Sequence, residues 1–406
     1  MAARTPDTTP LWRDDRVWKI IFQVIVLALI LGGYFFLFYN FNLNLQRTGL
    51  SFSFDFLSSP AGFSVGETLV EYSSTDPYWR AILVGILNTF RVIFIGFVAT
   101  TLLGTLVGVA SFSQNWILRK LSQVYVEVVR NTPLLLQLLF WYFVVFLSLP
   151  RPSEPLQLPG TWLRQGLPGL GGLATLPDWF FLSKAAVFVP WPTINRPFWL
   201  WFGAGVLTLV LAVLVWRWRT FLMVEQGSAG TPQLGVFVLL LVVLGAIVAF
   251  AFQWEAPQLG DRGRPLGGLQ LSVEYASVLA GLVVYTAAFI AEIVRGGIQS
   301  VSKGQWEAAR SLGLKQGLVM RLVVLPQALR VIIPPLNSQY MNLAKNSSLA
   351  LAIGYPDLFS VSSTTLNQTG RPMEVFLILS ATYLGLNLII SIIMNGLNRS
   401  VQLKER

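Results

Sequence analysis

Apolar runs, each about the length of a membrane crossing, recur along this chain between polar stretches rich in Pro and Gly. A hydrocarbon core about 30 Å thick takes about 20 residues of helix. Eight segments meet that length: Val17 to Tyr39, Ile82 to Ala110, Val124 to Leu149, Phe198 to Trp216, Leu234 to Phe252, Val273 to Ile293, Val331 to Ile353 and Val375 to Leu397. All but one are apolar enough to read as spans directly. The exception, Val331 to Ile353, carries Asn337, Ser338, Gln339, Asn342, Lys345, Asn346, Ser347 and Ser348. Unpaired polar groups facing lipid cost roughly several kcal/mol each, so this segment, if it crosses, must face a protein interface or a wet pathway. The pattern predicts an all-α integral membrane protein of about eight transmembrane helices.

Charge decides whether the polar segment crosses. The 406 residues are 54% hydrophobic and 12% charged, with 29 Lys+Arg against 19 Asp+Glu. In an eight-span arrangement with the N-terminus inside, seventeen of the basic residues fall on cytoplasmic stretches and nine on outer ones, as the positive-inside rule requires. Removing the seventh span would place Arg399, Lys404 and Arg406 outside, against that rule. The segment is therefore expected to cross, with both termini cytoplasmic. The basic excess then belongs to loops and calls for no nucleic acid, since basic and aromatic residues do not interleave beyond the membrane edges. Val17 to Tyr39 lacks a small-residue cleavage site after it and reads as a retained helix in a multi-pass chain. Two outer loops are long, Asn40 to Arg80 and Pro150 to Pro197. The second, with Leu167 to Gly172 dense in Pro and Gly, reads as an irregular cap, with Trp179, Trp191, Trp199 and Trp201 in the interfacial belt.

The chain has no Cys and no His. That removes disulfides, Cys/His metal centres and any triad built on an imidazole base. No phosphate-binding Gly-x-x-x-x-Gly-Lys-Ser/Thr loop occurs either, so the chain is expected to bind no cofactor, metal or nucleotide of its own.

Between the sixth and seventh spans stands Glu307-Ala308-Ala309-Arg310-Ser311-Leu312-Gly313, followed after nine residues by Val323-Val324-Leu325-Pro326. Ser302 to Leu312 has helical composition, Trp306, Ala309 and Leu312 are spaced to share a face, and Gly313 is placed to end the helix. Small Ala308 and Ala309 would let such a helix lie deep in a partner's groove, with Glu307 available to a partner Arg or to its own helix start. Leu325-Pro326 is expected to break the following helix. The whole pattern resembles the EAA signature of the permeases of ABC importers: Glu-Ala-Ala, three residues, Gly, nine residues, Ile, any residue, Leu-Pro. Only Val323, in place of Ile, departs from it. Thr286 to Ile298, Asn342 to Leu349, Arg130 to Leu134 and Ala352 to Leu358 are similar to the polar and general L-amino-acid branch of the histidine permease family.

This resemblance implies a five-span type I permease core over residues 81–149 and 273–397. Residues 1–80 add a helix and an outer loop, 150–272 insert a loop and a helical hairpin, and 398–406 form a cytoplasmic tail. It implies a non-catalytic pore subunit in the bacterial inner membrane, importing polar amino acids by alternating access. Its partners would be an ABC ATPase dimer using ATP and Mg, docked at Glu307, Ala308, Ala309, Gly313, Leu325 and Pro326, a second related permease, a periplasmic amino-acid-binding protein, and the surrounding lipid.

Charges within spans define the remaining candidates. Glu127 and Arg130, three residues apart, suit a local ion pair or a polar kink on the pathway; Pro133 frees the carbonyl of Val129, which Asn131 or Arg130 could satisfy. Glu292 and Arg295 form a second such pair. Lys345, beside Asn346 and with no acidic neighbour in sequence, needs a counter-charge from a substrate carboxylate, Glu292, Asp357 or a partner subunit. Asn337, Gln339, Tyr340 and Asn342 share its corridor. An ion-driven transporter would need coupling carboxylates, and Glu127 and Glu292 are the only clear ones near spans; a membrane enzyme would need catalytic pairs that are absent.

Overall fold

The computed structural model describes residues 15–48, 52–159, 178–194, 198–225, 230–260 and 263–402. The Pro- and Gly-rich run Leu167 to Gly172 lies outside the described residues, as do the basic residues of both chain ends before 15 and after 402. Eleven helices are described: α1 (Asp15–Thr48), α2 (Tyr78–Ala110), α3 (Trp116–Arg130), α4 (Leu134–Phe146), α5 (Phe198–Glu225), α6 (Thr231–Ala251), α7 (Val273–Gln299), α8 (Lys303–Ser311), α9 (Gln316–Ile353), α10 (Leu358–Thr369) and α11 (Pro372–Val401). Seven are long and apolar enough to cross a membrane, and the bent pair α3 and α4 makes up to eight. The chain is thus an all-α membrane protein.

The packed centre forms around α2 and α7, which run parallel. A β-carbon at Gly104 would stand 2.6 Å from Cβ of Ile290, and one at Gly108 would stand 2.7 Å from Cβ of Val294. Glycine at these two positions lets the backbones meet, the close approach that van der Waals packing between membrane helices requires. The side α9 presents to α2 follows the same logic: Leu343 seats its Cδ2 3.3 Å from where a β-carbon of Gly96 would lie, and the Tyr340 hydroxyl shares a 2.6 Å hydrogen bond with that of Thr101. After a turn at Gly354, α10 continues along α2 toward its start, with Leu358 N donating to Thr89 Oγ1 at 2.9 Å and Tyr78 donating to Gln368 at 3.0 Å.

Two helical regions stand apart. The side chains of α1 from Trp18 to Tyr39 are exposed, Phe35 at 73% for instance, so lipid must be their solvent. Helices α5 and α6 pack on each other, and their hairpin is prolonged by a short ladder of β4 (Trp191–Ile194) with β5 (Phe252–Glu255).

The third span does not cross as one straight helix. It breaks at Asn131-Thr132-Pro133, and α3 and α4 meet at 108°. α3 is amphipathic, with Ile117, Leu121, Val124 and Val128 exposed along one face, and Asn115 caps its start by accepting from Ile117 N at 2.9 Å. Proline excludes its predecessor from helical geometry, which ends α3 here. The carbonyl of Val129 is satisfied, but neither by Asn131 nor by Arg130 as the sequence suggests. Gln137, buried at 8% exposure, reaches back from α4 and donates Nε2 to the carbonyls of Val129 at 2.9 Å and Thr132 at 3.0 Å.

The outer loop is less irregular than its composition suggests. Strands β1 (Leu156–Pro159), β2 (Asp178–Leu182), β3 (Ala186–Val189) and β8 (Leu269–Ser272) form an antiparallel sheet in that order, and β6 (Gln258–Leu259) pairs with β7 (Pro265–Leu266). Because β8 runs straight into α7, this sheet is fastened to the packed centre. The pairing joins segments some eighty residues apart, which no local pattern announces.

Replacing Gln137 with Leu removes the side-chain donor that the Val129 and Thr132 carbonyls share and leaves Val129 O only the Thr132 N–H at 3.3 Å, and loss of a hydrogen bond to a buried acceptor costs about 1–3 kcal/mol. Gln137→Leu is expected to lower the melting temperature of the purified chain; an unchanged melting curve would show that the α3–α4 corner does not depend on this contact.

Candidate functional site

The loop carrying the EAA pattern folds as expected at its C-terminal end. α8 spans Lys303–Ser311, and Gly313, at φ +74°, donates its N–H to the Arg310 carbonyl at 2.8 Å. A left-handed residue closing the last turn is the glycine C-cap. The two alanines part company, however. Ala309 is 3% exposed and packs in the chain's own core with Val319, Val324 and Ala328, with Trp306 against them. Ala308, Glu307 and Ser311 face outward, and Leu312, expected on the face of Ala309, is 80% exposed. The C-terminal turn that Gly313 permits rotates Leu312 out of the inward stripe.

Pro326 does not break the next helix. A π-helical turn over Met320–Val324 precedes it, and the α-helix resumes at Leu325 with Pro326 in its first turn. There its missing N–H leaves no ladder bond broken. Val324 is fully buried beneath Ala309 while Leu325 and Pro326 stay exposed. The second half of the motif thus both anchors α8 and extends its outward surface.

On α9 the polar residues divide by face. Val331, Pro335, Ser338, Asn342 and Lys345 are exposed at helical spacing, Gln339 and Asn346 are half-buried, and Tyr340 turns the other way, its ring 4.9 Å from that of Phe97. The contacts with α2 fix the depth: Tyr340 lies at Thr101, the middle of the apolar stretch Val92 to Ala110, and Leu343 at Gly96. Lys345 is therefore level with the third of that stretch nearest Val92. It forms no ion pair among the described residues. Of the counter-charges open to it within the chain, Glu292 is held by Arg295, and Asp357, 1% exposed in the outer turn before α10, caps that helix by accepting from Ser360 N at 2.8 Å. Burial pushes the Asp357 carboxyl up to about 7.

Arg130, Asn131 and Glu292 gather elsewhere, in a cavity of about 510 Å³ between the later part of α2, α3 and the later part of α7. The Glu292–Arg295 pair forms as the sequence suggests. The Glu127–Arg130 pair does not. Arg130 lies over the Phe289 ring at 5.2 Å and reaches Glu292 at 3.9 Å, so tertiary partners on α7 outcompete the neighbour on its own helix.

With these features in place, comparison with known proteins is direct. Residues 221–403 match the model of the binding-protein-dependent transport system inner membrane component. The putative amino-acid ABC transporter permease protein YhdX of Escherichia coli K12 is 41% identical over 96% of this chain and 95% of its own length. The general L-amino acid transport system permease protein AapQ of Rhizobium johnstonii is 38% identical over the full length of both. The glutamate/glutamine/aspartate/asparagine transport system permease protein BztB of Rhodobacter capsulatus is 39% identical over 97% of this chain and 96% of its own length. The chain belongs to the amino-acid permeases of ABC importers. It is the transmembrane, non-catalytic component, coupled to a separate ATPase.

The permease also holds a buried charge network that its sequence pattern conceals. Glu67, in the outer loop before α2, pairs with Arg91 of α2, and the two side chains are 15% and 12% exposed. The same carboxylate accepts from the Ser272 hydroxyl, the N-cap of α7, and Arg91 lies over the Tyr275 ring at 4.0 Å. Asn88 donates to the carbonyls of Glu67 at 2.8 Å and Pro356 at 2.9 Å. The outer loop is tied down again where Arg371 donates to Ser53 O at 3.2 Å and Ser53 N donates to Glu374 at 3.3 Å. Arg91, an isolated cation within a span, was the one available sequence signal; its partner lies 24 residues away in a loop.

The opposite placement of the two alanines has a measurable consequence. Ala309→Leu overfills a packed core, at about 1–3 kcal/mol, and should lower the melting temperature of the purified permease, whereas Ala308→Leu should leave it unchanged. Equal effects of the two changes would contradict the described orientation of α8.

Proposed function

We propose that this permease is the translocation-pore subunit of a bacterial inner-membrane importer for polar L-amino acids. The observation that carries the reading is the outward face of α8: Glu307, Ala308, Ser311 and Leu312 are exposed on a helix whose other face is locked into the core through Ala309. A helix fixed to the bundle on one side and bare on the other is suited to transmit motion from a docked partner. That partner is an ATPase dimer on the cytoplasmic side, contacting Glu307, Ala308, Gly313, Leu325 and Pro326, with Ala309 setting the angle of α8 from beneath. When the dimer closes on ATP, each α8 moves with its groove and the spans reorient from one side of the membrane to the other.

The exposed stripe Ser338, Asn342 and Lys345 lies at hydrocarbon depth, where it cannot be left to lipid. A second, related permease covers it and shares with it a polar path, lined also by Gln339 and Asn346. Lys345 there answers the carboxylate of the passing amino acid. A periplasmic binding protein delivers that amino acid from the side of the β1–β2–β3–β8 sheet. Both termini and α8 are cytoplasmic, in keeping with the distribution of basic residues. The names of the relatives, general L-amino acid in one and glutamate, glutamine, aspartate and asparagine in another, support a polar substrate.

Glu307→Lys tests the coupling surface. The variant should insert normally, with a cysteine introduced at Ser302 labelled only from the cytoplasmic side, while ATPase copurification weakens and amino-acid uptake is lost. Normal uptake, or labelling of that cysteine by an impermeant outer reagent, would overturn the assignment. Lys345→Met tests the path. A charge-assisted hydrogen bond contributes about 1.5–3 kcal/mol, so uptake in the assembled complex should fall about tenfold or more; near-normal uptake would remove Lys345 from the path.

A further inference from the structure

The cavity between α2, α3 and α7 is separate from the Lys345 stripe, and its charges are arranged in an unusual way. Two cations and two carboxylates line it: Glu127, Arg130, Glu292 and Arg295. Within this set Glu292 and Arg295 satisfy each other, Arg295 Nε donating to Glu292 Oε2 at 3.0 Å and its terminal nitrogen to the second oxygen at 2.5 Å. Arg130 is drawn away from its helical neighbour, over Phe289 and toward Glu292, where it gains only an edge contact at 3.9 Å. Its side chain remains 39% exposed. Glu127, three residues earlier on the same face, forms no ion pair among the described residues.

A cation drawn toward α7 with donors to spare and a carboxylate with no ion pair among the described residues therefore share one cavity, one helical turn apart, without pairing with each other. Gln123, one turn before Glu127, adds an amide to the same wall. A single anion or cation would leave one of the two charges uncompensated. A ligand bearing both an anionic oxygen group and an ammonium a few ångströms apart would satisfy both.

We propose that this cavity is a second binding site, for a zwitterion. Arg130 holds the anionic group through charge-assisted hydrogen bonds, Glu127 accepts from the ammonium, and Gln123 donates to or accepts from whichever oxygen or nitrogen remains. The site rests on the amino-acid reading given above, and deepens it: Arg130 and the Glu292–Arg295 pair lie toward the end of α7 that leads into α8, so the site faces the compartment into which the importer discharges. Occupied there, it would bridge α3 to α7 and hold the two helices in one arrangement, making the transporter responsive to the amino acid it has already delivered. The same pair of charges exists in a free amino acid and in the headgroup of phosphatidylethanolamine.

The permease–ATPase complex in phosphatidylcholine nanodiscs, without binding protein or nucleotide, is titrated with radiolabelled L-glutamine. Uptake by the same preparation is followed in proteoliposomes supplied with binding protein. Saturable binding is expected, competed by L-alanine but by neither N-acetyl-L-alanine nor ethylamine, each of which lacks one of the two charges. Binding should weaken tenfold or more in Glu127→Gln and in Arg130→Gln, less in Arg130→Lys, and persist in Lys345→Met. All variants are compared as complexes that retain the ATPase. If L-glutamine does not bind but native mass spectrometry of the wild type in phosphatidylethanolamine retains that lipid, and both charge-removing variants lose it, the site stands with the headgroup as its source. If neither probe distinguishes the variants from the wild type, the proposal is overturned; intact uptake in that case leaves the importer reading standing, whereas absence of any amino-acid uptake would overturn the importer reading instead.

Discussion

Hydrocarbon offers no hydrogen bonds, and each polar group placed at its depth must find a partner in protein or water. In this permease that constraint sorts the side chains of α9. Tyr340 meets Thr101, Leu343 and Ala344 pack inward, and Ser347 returns its hydroxyl to the carbonyl of Ala344 at 2.8 Å. What is left, Ser338, Asn342 and Lys345, is exposed and has no side-chain partner across from it among the described residues. The subunit is thereby incomplete by its own physics, and the same demand accounts for Gln137 at the α3–α4 break and for Glu67 against Arg91.

The second organising relation is between the packed centre and α8. Ala309 and Val324 lie in one cluster with Ile290, Val294 and Ile332, so the exposed loop is the end of a core that runs through α7 and α9. Close packing of this kind has low compressibility. α7, α8 and α9 therefore share one continuous packing, with no separate linker between them. At the opposite end of the bundle from α8 the loop of residues 52–77 ties α2, the start of α7 and the start of α11 together through Glu67 and Ser53, while the α5–α6 hairpin and α1 stay at the periphery.

The membrane class, most of the spans and the end of the Glu307 helix could be read from residue pattern because each depends on local properties: apolar length, and a glycine that must adopt a left-handed turn at Gly313. The site residues were legible only in part. Glu307, Ala308, Asn342 and Lys345 lie on open faces, but Ala309 and Tyr340 point into the core, because a helix of nine residues or a stripe of polar ones has a face that sequence spacing can group and cannot aim. The Glu127–Arg130 pair fails for a related reason: spacing makes a contact possible, and Phe289 with Glu292 on another helix decides against it.

By itself the sequence determined the solvent of this protein, about how many of its helices are long and apolar enough to cross the membrane, and the family to which it belongs. These follow from one-dimensional quantities, the length of apolar runs and the order of residue types. Only the tertiary structure decided that the third span is a corner of 108° closed by Gln137, that a sheet assembles from strands of the outer loop and the lead-in to α7, and that Glu67 is the counter-charge of Arg91. Each of those depends on which distant groups arrive within hydrogen-bond reach, and a buried polar group takes whatever partner the packing brings.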